Sequence, residues 1–503
     1  MAWLPLNVPP GVIRQATPYD APNTFYDTSN VRWLSGAIMP IGGNTRITSQ
    51  PMPSKIRGLF QWRDNGAREW LAMGHEDGIS VVFGTTTDVT PTGFVSMNAV
   101  SGGGFGTLNW GREEYGTPRS YNPPIFRKPD HWSFAVFGED LLAVCTSDGR
   151  LLHLSPTSSA VPKMDVPSNA PTNNFAVTVT GERAVMLIGA GGNPRRVQWS
   201  DLENYNSWTP SATNQTGYID LEASSPIITG VRVKEGVLVL TQREAFLVRY
   251  VGAPYYYGVE KLGSTTFSAP VSVATGGNAA VWFGEEGFWR YDGGAVRLLN
   301  CPIFGDIKQT YDPLYGNYRA HLHENGIFPE FWFDFPDIYS PDGECNNYVI
   351  WNYVDNIWIR GKRARSAAFG ASTANFPVAA GMDNNVYQHE DGWLENGLSR
   401  IGSVWAETSV LDFGQRGSAV DINQALIASD PNSDPNNYQI KFLSRYAPSQ
   451  AETVFGPYQP RSDGYTDMRV TGRDLRMRIE ATQDDYWSLG QIRLDIEGNG
   501  GSR

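Results

Sequence analysis

From Val281 to Gly294 the chain reads Val-Trp-Phe-Gly-Glu-Glu-Gly-Phe-Trp-Arg-Tyr-Asp-Gly-Gly. Two short apolar runs flank Glu285-Glu286-Gly287, and Asp292-Gly293-Gly294 closes the second run. Apolar run, glycine-bearing turn, apolar run and Asp-Gly turn together predict a tight antiparallel meander. Looser copies recur around Asp148-Gly149, Asp201, Glu244, Asp342-Gly343 and Asp391-Gly392, with Gly74 to Gly78 upstream of them. Successive turns lie 43 to 53 residues apart. That is the spacing of blades in a β-propeller, each blade a small antiparallel sheet.

Composition agrees with many short strands. The chain has 503 residues, with Gly 53, Tyr 23, Phe 23 and Trp 16, which suits turns and aromatic packing, and no amphipathic run of more than a few turns argues for long helices. Charged residues make up 18% and the formal net charge is -12. A protein that grips nucleic acid through many phosphates shows basic clustering, which is lacking overall; the charge speaks against grip rather than against proximity. The three cysteines, Cys145, Cys301 and Cys345, are too far apart for a disulfide framework or a metal knot. No window approaches eighteen apolar residues, so no membrane insertion is expected, and a cytoplasmic product is.

Three regions follow. Residues 1–50 are rich in turns and prolines and read as an irregular N-terminal arm, leading into the first blade or extending to a partner. Residues 51–400 carry the blade rhythm, interrupted at 84–130 by a Gly- and Pro-rich tract too long for an ordinary connection. This inserted loop, with Gly103, Gly104, Phe105 and Trp110, is either a binding loop or an inert excursion. Residues 401–503 alternate apolar and charged residues, as at Leu475, Met477 and Ile479, and predict a half-buried antiparallel sheet. The expected fold is therefore all-β: a β-propeller of six or seven blades followed by a small C-terminal antiparallel β-sandwich.

The search for chemistry is largely negative. His321 and His323 share one face if they lie on a strand and would hold zinc only with a third ligand, such as Glu324 or Glu330; otherwise they are core-edge or solvated histidines. No nucleophile elbow and no phosphate loop is present. Tyr255 to Tyr257 is either a stacking surface for a sugar or base or strand-edge packing. Carboxylates from separate blades can converge on a propeller axis, but Asp140, Asp201, Glu244, Glu286 and Asp342 fit turn chemistry better. No catalytic residue, metal or cofactor is expected. The densest basic tract holds Arg360, Lys362, Arg363 and Arg365, which would face a DNA channel, form a solvated rim or make a subunit contact.

Several segments together resemble one family. They are Trp33-Leu-Ser-Gly-Ala-x-Met-Pro-Ile-Gly-Gly43, the strand pair Leu238 to Tyr250, Gly263 to Pro270 leading into Val281-Trp-Phe, and the ending Arg473 to Glu480 and Gly490 to Ile496. In layout they are similar to short-tailed phage head-completion or tail-nozzle proteins, the packaged-DNA stabilisation and tail tubular protein B family. The resemblance rests on strand rhythm and both termini rather than on a tight motif. It implies a non-enzymatic virion tail protein, assembled in the host cytoplasm as a homo-oligomer, a hexameric ring. Such a ring would sit beneath portal and adaptor proteins, retain packaged double-stranded DNA without reading its sequence, and anchor fibre, spike or needle proteins. The rival readings are a carbohydrate-active propeller enzyme, lyase or hydrolase, and a monomeric propeller binding module.

Overall fold

A computed structural model of the chain describes residues 3–14, 17–98, 130–156, 161–371, 376–413, 419–445 and 450–498. Gly103, Gly104, Phe105 and Trp110 of the expected interface loop lie outside the described residues.

Seven small antiparallel sheets follow one another along the chain. The first comprises Ile56–Arg63, Glu69–His75, Gly78–Phe83 and Thr85–Asp88. Trp132–Phe137, Asp140–Cys145 and Leu151–Leu154 make the second. The third and fourth begin with Ala176–Val179 and Ile227–Val233. Val273–Gly276, Ala279–Gly284, Gly287–Tyr291 and Val296–Leu298 form the fifth. Helices Phe304–Thr310 and Pro313–Arg319 lead from it to the sixth, the Asp312 carboxylate capping the second helix. The sixth sheet comprises His321–Glu324, Glu330–Phe335, Asn347–Asn352 and Ile357–Lys362. Ala367–Phe369, Val378–Ala380 and Val386–His389 make three strands of the seventh, and the fourth is Asn44–Arg46 from the start of the chain.

Between these sheets lies much of the core. Leu141 to Cys145 are all buried, as are Ala279 to Gly284, because both faces of such a strand meet a neighbouring sheet. Odd and even positions then face different clusters. Leu141, Ala143 and Cys145 pack with Trp62 and Trp70 of the first sheet, whereas Leu142 and Val144 pack with Val177 and Leu187 of the third. Continuous apolar runs of four to eight residues are what such double burial demands.

The remaining two sheets form one module. One has the order Val31–Leu34, Ala37–Pro40, Leu489–Gly498, Val420–Ser429, Tyr465–Gly472, with Trp3–Leu6 also on Leu489–Gly498. The other has Phe25–Ser29, Trp405–Thr408, Asp474–Ala481, Tyr438–Arg445 and Thr453–Tyr458. Leu475, Met477 and Ile479 point into the core while their neighbours are half-buried, following the period of two.

The expected fold is corrected here. None of the nine sheets among the described residues closes or curls on itself; each is an open antiparallel sheet with two edges. A closed β-propeller followed by a separate sandwich gives way to a β-rich assembly of open sheets held together by side-chain packing. Nor do the C-terminal strands form a module by themselves, since strands from residues 3–40 sit in both of its sheets. Period-two patterning identifies hairpins and buried faces but carries no information about partners hundreds of residues away.

Candidate functional site

The first strands of the seven sheets lie against one another in chain order, and Ala367–Phe369 packs against Ile56–Arg63. They surround a cavity of about 510 Å³. Its lining differs from side to side.

One wall is aromatic, built by Phe60, Trp132, Phe134 and Phe369 from the first, second and seventh sheets. Trp132 and Phe134 stack at 5.8 Å between ring centroids, Phe60 and Phe134 at 5.9 Å, and Phe60 meets Phe369 at 5.1 Å. The Trp132 indole N–H donates to the His75 carbonyl at 3.1 Å, satisfying its polar atom. Two glycines make room for this ring. A Cβ at Gly74 would lie 2.4 Å from the indole, and one at Gly58 2.8 Å from the Trp132 Cβ.

Polar residues from the fourth, fifth and sixth sheets form the other wall: Thr229, Arg232, Thr275, His321, His323 and Glu324. Strand alternation divides the last three. His321 and His323 face Asp334, at 3.4 and 3.9 Å, and Arg363 binds the same carboxylate at 2.8 Å. Burial works against the Asp334 charge, but Arg363 and the two histidines hold its pKa below the ordinary value. Burial lowers the pKa of both histidines, that of His323 to about 3, so at neutral pH both rings are uncharged.

Glu324 sits differently. Its carboxyl packs against the backbone of Gly276, where a Cβ would come within 2.1 Å of the carboxyl carbon. The Tyr353 hydroxyl donates to Oε1 at 3.2 Å, and the Gly277 N–H donates as well. Burial outweighs these bonds and raises the Glu324 pKa. With no cation paired to it among the described residues, this carboxyl keeps its proton to a higher pH than a solvated glutamate.

Arg57, at the rim, is locked between Glu76 at 2.6 Å and Glu344 at 2.8 Å, with Arg319 also on Glu344. The thiols are inert: burial pushes Cys145 and Cys301 up to about 12 and Cys345 well above its ordinary value. Among the described residues no three His, Cys, Asp or Glu side chains are grouped to hold a metal ion. Glu330, considered as a third ligand for the histidine pair, is instead bound to Arg32.

The basic tract lies apart from the aromatic wall. Arg360 pairs with Asp27 at 3.6 Å and with Asp306. Arg363 is committed to Asp334 and stacks over Trp332 at 4.4 Å. Arg365 is buried, donating to His389 at 3.2 Å and pairing with Glu395 at 3.4 Å, and only Lys362 is exposed. Of the tyrosine run, Tyr257 is buried in the core while Tyr255 is exposed. The cavity wall went unnoticed in the sequence because its members are single residues on strands far apart. The available signal was that each lies on the first strand of its hairpin set.

No known protein family matches the chain, and no curated protein does. Among solved structures, the chain is similar to a virginiamycin B lyase from Staphylococcus aureus bound to quinupristin. Identity there is 11%, coverage 70% of this chain and 99% of that one, and the TM-score 0.41. It is similar to the β-propeller domain of Swd1 from Myceliophteria thermophila at 9% identity, covering 69% of this chain and 98% of that one, with a TM-score of 0.39. An exo-β-1,3-galactanase from Phanerochaete chrysosporium aligns at 11% identity over 91% of this chain and 100% of that one, with a TM-score of 0.27. These are a lyase, a propeller domain and a glycoside hydrolase, not tail or head-completion proteins. On that finding the expected identity, a non-enzymatic virion tail subunit of the head-completion family, is withdrawn.

Proposed function

We propose that the chain is a carbohydrate-active protein that takes a sugar into the central cavity, with Glu324 as the acid. The observation that carries this reading is the two-sided lining: an aromatic wall of Phe60, Trp132, Phe134 and Phe369 opposite Thr229, Thr275 and Glu324. A pyranose presents C–H faces to aromatic rings and hydroxyls around its edge, so it needs both kinds of surface at once. Binding sites of this sort combine an apolar lining with a few placed polar groups. A carboxyl whose pKa burial has raised can protonate a leaving glycosidic oxygen while a solvent water adds to the anomeric carbon and gives up its proton to restore the acid, so that one water is consumed for each bond broken.

Calorimetry with a panel of oligosaccharides, followed by mass spectrometry of the products, tests it. Phe134→Ala is expected to weaken binding about tenfold, the equivalent of about 1.4 kcal/mol of stacking. Glu324→Gln is expected to preserve binding and abolish turnover. If no oligosaccharide binds the folded protein, the reading is wrong.

A further inference from the structure

The second pocket beside the cavity says more about the ligand. It holds about 560 Å³ and is lined by Glu182, Arg232, Lys234, Glu235, Asn278 and Tyr291 among others. Arg232 and Thr275 line both spaces, so the cavity and the side pocket meet at these two residues. Glu324, on the cavity side, is bonded to Gly277, in the turn that gives the side pocket its Gly276 and Asn278. The acid thus lies next to the junction.

Arg232 differs from the other arginines of this region. Arg57, Arg363 and Arg365 each have a carboxylate partner, whereas Arg232 is exposed and makes no ion pair among the described residues. Lys234, two residues further on, is likewise exposed and makes none. The two carboxylates that line the pocket are paired with neither Arg232 nor Lys234 among the described residues. Glu182 accepts from the Tyr257 hydroxyl at 3.4 Å, and Glu235 reaches to within 2.7 Å of where a Gly293 Cβ would be. The guanidinium lies 3.9 Å from where a Gly181 Cβ would stand, and Gly181 lines the same pocket.

Resting on the carbohydrate reading, we infer that the ligand is an acidic oligosaccharide whose uronate carboxylate is received by Arg232 at the junction of the two pockets. A guanidinium presents two parallel N–H donors that match a carboxylate, which gives orientation as well as attraction. One sugar ring would then occupy the cavity against the aromatic wall, with its neighbour in the side pocket. Glu324, uncharged when protonated, would stand beside the uronate without repelling it. The formal net charge of -12 works against any diffuse attraction for a polyanion. A preference for acidic chains therefore reports a local site.

The test is calorimetry on the full chain with trigalacturonate and with galactotriose, using wild type, Arg232→Gln and, as a surface-charge control, Arg297→Gln. The expected result is that wild type and the control bind the acidic trimer at least about tenfold more tightly than the neutral one. Arg232→Gln would weaken the acidic trimer far more than the neutral one and so bring the two affinities together. Equal binding of both trimers by wild type, with no effect of Arg232→Gln, overturns the inference and leaves the carbohydrate reading standing. Binding of neither trimer, nor of any other oligosaccharide in the panel, overturns the carbohydrate reading itself. Loss of the acidic preference in Arg297→Gln as well would assign the effect to overall charge and overturn the role of Arg232.

Discussion

Arg32 joins three parts of the chain, and replacing it with methionine tests how they are held. It rises from Val31–Leu34 of the two-sheet module and meets Glu330 of the sixth sheet and Glu390 just beyond the seventh. Its guanidinium lies 3.1 Å from Glu330 and 2.5 Å from Glu390, and the three side chains are only 1%, 1% and 6% exposed. Solvent does not screen a group so deeply enclosed, so Arg32→Met strands two carboxylates that cannot both stay charged. Breaking a buried pair from one side costs about 3–5 kcal/mol. Glu390 is the better protected, since it keeps the Asn325 amide at 3.0 Å and the Gly42 N–H at 3.1 Å. Glu330 keeps only the Trp332 indole N–H at 3.0 Å, and burial already raises its pKa. In the native protein that raised pKa favours folding at low pH, an advantage lost as pH rises through the folded value. Without Arg32 the effect is larger, so the deficit of Arg32→Met is greatest near pH 7.5 and shrinks toward pH 5. Adding Glu330→Gln should restore much of the loss at pH 7.5. Urea unfolding followed by tryptophan fluorescence at both pH values reads this directly. A single variant within about 1 kcal/mol of wild type, the level of an exposed pair, or a double variant no better than the single, would refute the reasoning.

Three further outcomes follow from the same geometry. Gly74→Ala drives a methyl into the Trp132 indole and should destabilise by about 1–3 kcal/mol, read by urea unfolding; a neutral result would mean that the aromatic wall is loosely packed. Tyr353→Phe removes the hydroxyl bond to Glu324, which favours the charged carboxylate, so the Glu324 pKa rises further. A rate that needs this acid protonated then falls off at higher pH than in wild type, and an unchanged or lowered upper limb of the pH profile would contradict the role of Tyr353. Deleting residues 1–48 strips Asn44–Arg46 from the seventh sheet and four strands from the module, leaving open edges that template aggregation. The truncated chain is expected to be insoluble, and a soluble form with wild-type melting behaviour would show that these pairings are dispensable.

Local structure was legible in the sequence wherever a turn and its two flanks are adjacent. The Val281 to Gly294 stretch forms a hairpin in which Gly284 pairs with Gly287 across Glu285 and Glu286. Asp312 followed by Pro313 marks a helix start, although the helix is too short for periodicity to reveal it. What stayed hidden is long-range. Nothing in Asn44–Arg46 or in Val386–His389 specifies the other as its neighbour. Nothing in the sequence singles out Arg32, because its partners lie about 300 and 360 residues away. Glu324 appeared only as a spare ligand for the histidine pair, since its distinction is burial beside Tyr353 without a cation, a property of the packed sheets. Arg232 gave no signal, because lacking an ion pair among the described residues depends on how the packed sheets place every other side chain.

The chemistry of the cavity narrows by asking which of its ionisable groups is free to change state. Arg57 is held by two carboxylates, and Asp334 by Arg363 and two histidines. A proton moved at either would break a buried pair and cost several kcal/mol. With its pKa near 3, His323 does not donate a proton at neutral pH and is a poor base. The buried thiols keep their protons far above neutrality. Glu324 alone among the cavity's carboxyls has its charged form supported only by neutral donors, a hydroxyl and a backbone N–H, while burial favours the acid. Ligand entry that displaces water would favour the acid further, whereas approach of a cation would reverse it. This two-way sensitivity is what a proton donor needs, and it is why the ligand's own charge, and where Arg232 holds it, would decide whether the site turns over its sugar or merely binds it.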